Sequence, residues 1–90
     1  MDVKQAVSIA KVYLTDLFAT EGIHNLGLEE VEFDSSDNAW LVTLGFSRSW
    51  DAQGALAQVT GIPRTRSYKC VRVDADTGQV VSVTSQKILG

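Results

Sequence analysis

The chain has 90 residues, 44% of them hydrophobic, with eight basic and eleven acidic side chains, one Cys, one His and one Pro. That size fits a single domain with one two-layer core, and the apolar fraction excludes a disordered chain. One Cys excludes an internal disulfide framework, and Cys70 with His24 falls short of the roughly four ligands of a structural zinc site.

Residues 3–20 predict an amphipathic helix. Val3, Ala6, Val7, Ala10, Leu14, Leu17 and Phe18 recur at spacings of three and four, with Tyr13 beside the stripe. Lys4, Ser8, Lys11 and Thr15 fall on the opposite face. Asp2 and Gln5 have the spacing of a capping box, and Gly22 can adopt the left-handed conformation that ends a helix. Such a helix has one face to bury and needs a sheet to bury it on.

The rest of the chain supplies strands. Residues 29–34 alternate, with Glu30, Glu32 and Asp34 on one side and Val31 and Phe33 on the other. Ser35-Ser36-Asp37-Asn38 has turn chemistry. Residues 39–47 predict a strand whose large face is Trp40, Val42, Leu44 and Phe46. Its other face, Ala39, Leu41, Thr43, Gly45 and Ser47, is small and is expected to look to solvent. Residues 65–74 predict a third strand, in which Tyr68 and Cys70 have one parity and Val71 and Val73 the other. A bulge near Cys70, or partial cover on both faces, would reconcile the two. Residues 74–78 predict a hairpin loop with positive φ at Gly78, and residues 79–87 a fourth strand with Val81 and Val83 on one side. The short links imply an antiparallel meander. The expected fold is therefore α+β, one domain over residues 1–90. One N-terminal helix packs on a four-stranded antiparallel meander sheet (α-β-β-β-β, two layers), with a long connection over 48–64. Long connections of this kind are usually functional or mobile.

Two stretches resemble a known family. The strand Leu28-Glu29-Glu30-Val31-Glu32-Phe33 and the hairpin Val71-Arg72-Val73-Asp74-Ala75-Asp76-Thr77-Gly78-Gln79-Val80, behind an N-terminal helix and a Trp-bearing second strand, resemble the PepSY domain. The hairpin carries most of the likeness, which extends loosely over residues 5–83. The resemblance implies a cystatin-like helix on an antiparallel sheet and a role in peptidase inhibition or at the cell envelope. Members are usually exported or membrane-attached, whereas Met1-Asp2-Val3-Lys4-Gln5 lacks the pattern of an export signal. No apolar run approaches the ~18 residues of a membrane span. A cytoplasmic location and no membrane partner are expected.

Catalytic chemistry finds little support in these residues. Cys70 lies mid-strand among apolar neighbours, as a small hydrophobe does. His24 follows the helix stop, and Glu30 with Glu32 reads as a solvated face rather than an acid/base pair. No enzyme activity, cofactor or metal is expected. Charge divides sharply: residues 1–46 carry net −6 and residues 47–90 net +3. Acidic and basic strands can compensate across one sheet, or two surfaces can meet different partners. Arg48, Trp50, Arg64, Arg66, Lys69 and Arg72 mix basic and aromatic residues, as single-strand nucleic-acid binders do, but the acidic pI of about 4.9 argues against that partner. The preferred expectation is a protein-interaction module, an inhibitor or regulator, binding through the 48–64 loop with Arg48, Trp50, Arg64 and Arg66 as partner-binding residues. Trp50 could instead fold back over Leu41 and Thr43 to finish the core. The alternative function is a self-associating homodimer.

Overall fold

The computed structural model describes residues 1–48 and 67–85. Helix α1 (Val3–Leu17) is followed by a 3-10 turn (Ala19–Glu21) and strands β1 (Ile23–Asp34), β2 (Ala39–Arg48), β3 (Ser67–Asp74) and β4 (Val80–Ser85). The strands form one antiparallel sheet in the order β1-β2-β3-β4, with the helix on one face. The expected class and topology hold.

The capping box forms: the Gln5 backbone N–H donates to Asp2 Oδ1 at 2.8 Å, and the Asp2 N–H donates to Gln5 Oε1 at 2.9 Å. The helix ends at Leu17, sooner than the apolar period suggests. One 3-10 turn follows, and Gly22 closes it at φ 60°. Ala6, Ala10 and Leu14 are fully buried against Val42, Leu44, Phe46, Val71 and Val73. Two alanines on the contact stripe bring the helix close to the sheet, leaving Leu14 as its only large fully buried side chain. Phe18 closes the far end of this core, its ring 5.6 Å from that of Phe46.

Four details correct the sequence reading. β1 begins at Ile23, not 29; Asn25 at φ 56° and register shifts at His24/Gly27 and Leu28/Glu30 break the alternation that would have revealed it. β3 pairs with β2 without interruption, so no bulge lies at Cys70, and the strand is partly covered on both faces. The irregularity lies between β3 and β4, at Arg72/Val73. It places Val80 and Val83 against the core and leaves Val81 60% exposed. The small face of β2 does not look to solvent, since Ala39, Thr43 and Ser47 are buried. On this central strand the small side chains are flanked by longer ones, Thr43 by Glu30 and Cys70 and Ala39 by Asp34 and Asp74.

Both described turns rest on an aspartate. Asp34 Oδ1 accepts from the Ser36 hydroxyl and backbone N–H, with Asn38 at φ 51°. Asp74 Oδ1 accepts from the N–H groups of Asp76 and Thr77, and Gly78 takes φ 75°.

Candidate functional site

Of the four residues expected to bind a partner, Arg48 alone falls among the described residues. Arg48 closes β2 with its Cα opposite Ile23. Trp50, Arg64, Arg66 and the rest of the 48–64 loop lie outside the described residues. The two further basic residues, Lys69 and Arg72, stand on opposite faces of the sheet. Lys69 pairs with Leu44 on the helix side, donates to Ser85 Oγ at 2.8 Å and lies 5.9 Å from the Phe18 ring centre. Arg72 pairs with Leu41 on the other side, where its Nη1 meets Asp37 at 2.7 Å and Asp34 at 3.3 Å. At Arg72 the basic half of the sequence therefore neutralises the acidic half across the sheet. The Ser36 hydroxyl, then the Arg72 guanidinium, hold the Asp34 carboxyl below its ordinary pKa.

The residues weighed for catalysis are dispersed. His24 is opposite Ser47 and Cys70 opposite Thr43, four residues apart along β2, a separation of roughly 13 Å. Burial pushes the Cys70 thiol pKa up, against a hydrogen bond from the Thr43 hydroxyl that pulls it down. That is the reverse of an activated nucleophile. Glu30 and Glu32 are exposed on the same face, near Cys70. Among the described residues no group of three or more His, Cys, Asp and Glu is placed to hold a metal ion. No helix among them is long and apolar enough to cross a membrane.

The surface that remains follows from widths. Four strands span roughly 14 Å between the outer strand axes, and one helix is about 10 Å across. The helix covers β2 and β3 and leaves the helix-side residues of both outer strands partly open. Along β1, Leu28 is 44% exposed and Phe33 46%, and Val3 of the helix, beside Leu28, is 40% exposed. Between helix and strand runs a groove of about 370 Å³ lined by Val3, Lys4, Val7, Leu28 and Val31. Phe33 meets the edge of Trp40, ring centres 5.0 Å apart, and the Trp40 indole N–H is buried without a hydrogen-bond partner among the described residues. On the β4 side a second groove, about 610 Å³, lies between Ile9, Val12 and Tyr13 of the helix and Val80.

Sequence reasoning missed the β1 flank because Val31 and Phe33 have the parity of core residues, while Leu28, of the opposite parity, joins that face only through the register shift between Leu28 and Glu30. Their exposure depends on how far one helix reaches across the sheet, which no local pattern encodes. No family model matches the chain, and no match is found among curated proteins or solved structures.

Proposed function

We propose that this chain is a small non-enzymatic protein-binding module acting in the cytoplasm, an inhibitor or regulator of a partner protein. The observation that carries this is the apolar flank of β1, where Leu28 and Phe33 on the helix side of the strand, and Val3 beside Leu28, expose two-fifths or more of their surface. Contiguous exposed apolar surface of this kind marks interaction sites. The raised Cys70 pKa and the separation of Cys70 from His24 favour binding over catalysis. The PepSY resemblance of the 71–80 hairpin agrees with a peptidase as the partner class, and the 48–64 loop with Arg48, Trp50, Arg64 and Arg66 stays in the proposal as a second contact.

Affinity capture with wild type, Phe33→Ser and Trp50→Ala, each first checked for a native circular dichroism spectrum, tests this. A protein retained by wild type and lost from either variant supports the module; identical retained sets, or none, count against it. The same exposed strip favours one second reading, self-association. Light scattering over a dilution series separates the two, because a chain that stays monomeric at high concentration is not a homodimer.

A further inference from the structure

We infer that the Glu30–Asp34 segment of β1 binds an extended partner peptide as an added strand, and that the peptide alternates apolar and basic residues. This rests on the binding-module reading and names its partner.

Three features of the strand converge on it. First, β1 is an edge: it pairs with β2 on one side, and no described strand pairs with the other. Residues 30–34 pair continuously with 43–39, free of the register shifts that precede them. That stretch offers a regular row of outward backbone groups, the template for strand addition. Second, the two faces of the segment differ in chemistry. Val31 and Phe33 point to the helix side, where Val31 lines the groove with Val3 and Val7 and Phe33 packs on Trp40. Glu30 and Glu32 point to the other side, exposed, and among the described residues neither meets a cation. Third, Lys4 lines the helix-side groove. Positive charge above the strand and negative charge below it set which side of an incoming strand is apolar and which is basic.

The same charges argue against a second copy of this chain as occupant. In the antiparallel β1–β1 pairing that centres on Glu32 and keeps both helices on one side, Glu30 and Asp34 face each other and Glu32 faces its own copy, so all three stand opposite carboxylates of the other copy. Like charges directly opposite on neighbouring strands repel. A basic residue at those positions gains where an acidic one loses.

The test is a titration of ¹⁵N-labelled protein with a capped seven-residue peptide alternating lysine and valine. Four control peptides accompany it: alternating glutamate and valine, alternating serine and valine, and two forms of the lysine–valine peptide with alternate backbone nitrogens methylated, one for each edge. The proposal expects amide shifts on residues 30–34 with the lysine–valine peptide. Binding should be lost when the edge that faces β1 is methylated, because methylation removes the backbone donors and keeps the charge. The variant carrying Glu30→Lys and Glu32→Lys together should bind about tenfold more weakly, since two cross-strand attractions become repulsions. Equal binding by both methylated forms, shifts confined elsewhere, or an unaffected double variant would overturn the proposal. Binding of the serine or glutamate peptide at 30–34 with equal affinity would overturn the basic partner and leave the binding-module reading standing. No shift with any peptide would overturn strand addition, and the capture experiment then decides the module reading on its own.

Discussion

Leu14 and Leu28 are the same residue in two settings, and the pair tests how the helix divides core from surface. Leu14 is fully buried between α1 and the sheet, while Leu28 on β1 is 44% exposed. Truncating Leu14 to Ala removes transfer free energy and leaves a cavity. The neighbours that could fill it are Phe46 and Leu44 on the central strand, fixed in the same core. Leu→Ala changes at such sites cost about 3–4 kcal/mol. Fully burying a leucine side chain is worth about 1.5–3 kcal/mol. Leu28 has a little over half its surface out of water and opens to solvent, so Leu28→Ala should cost about 1 kcal/mol with no cavity contribution. A domain this small holds roughly 5–13 kcal/mol in total, so the first change removes a large share of it. Urea unfolding followed by circular dichroism should separate the two variants by about 2–3 kcal/mol. In thermal unfolding the separation should be roughly 10–20 °C. Equal losses, or a larger loss at Leu28, would mean that the β1 flank is core and not available surface.

Four further outcomes follow from the geometry. Asp34 and Asp74 have folded-state pKa values below the unfolded one, held down by the Ser36 hydroxyl and by the Thr77 and Asp76 N–H groups respectively. Their contribution is complete above the unfolded pKa near 3.9 and is lost as pH falls through the folded values; stability measured from pH 5 to 2 should fall more steeply in wild type than in a variant with Asp34→Asn and Asp74→Asn, and parallel curves would refute this. Gly78→Ala forces a side chain into φ 75° and places its Cβ 3.0 Å from Met1 Cε, so a loss of about 1–2 kcal/mol is expected in chemical denaturation, against none if the hairpin relaxes. Trp40→Phe removes the buried donor that lacks a partner among the described residues, which offsets the lost ring area and keeps the change within about 1 kcal/mol; a loss above about 2 kcal/mol would show that the indole N–H is bonded. The alkylation rate of Cys70 should rise with pH at a higher midpoint in the folded chain than in the unfolded chain, since burial raises its pKa; a midpoint at or below the unfolded one would contradict the placement.

What could be read from the sequence was what local chemistry determines. The helix announced itself through a 3.6-residue period and the Asp2/Gln5 box, and both turns through an aspartate followed by residues that tolerate positive φ. Where pairing between strands decides the outcome, local reading failed. The first half of β1 hid behind Asn25 and two register shifts, and one more shift moved Val81 out of the core and Val80 into it. The candidate site shows the same limit. Glu30 and Glu32 were legible as a solvated face, but Phe33 had the parity of a core residue and Leu28 reached that side only through a register shift; the width of the sheet against one helix leaves both open. The 48–64 loop, first choice from composition, lies outside the described residues.

The most direct test of the β1 site is a charge exchange between protein and peptide. Wild type and the variant with Glu30→Lys and Glu32→Lys are each titrated with the lysine–valine and the glutamate–valine peptides by isothermal calorimetry. If an added strand lies along residues 30–34, wild type prefers the basic peptide and the reversed protein prefers the acidic one. A reversed protein that still prefers the basic peptide would contradict the account.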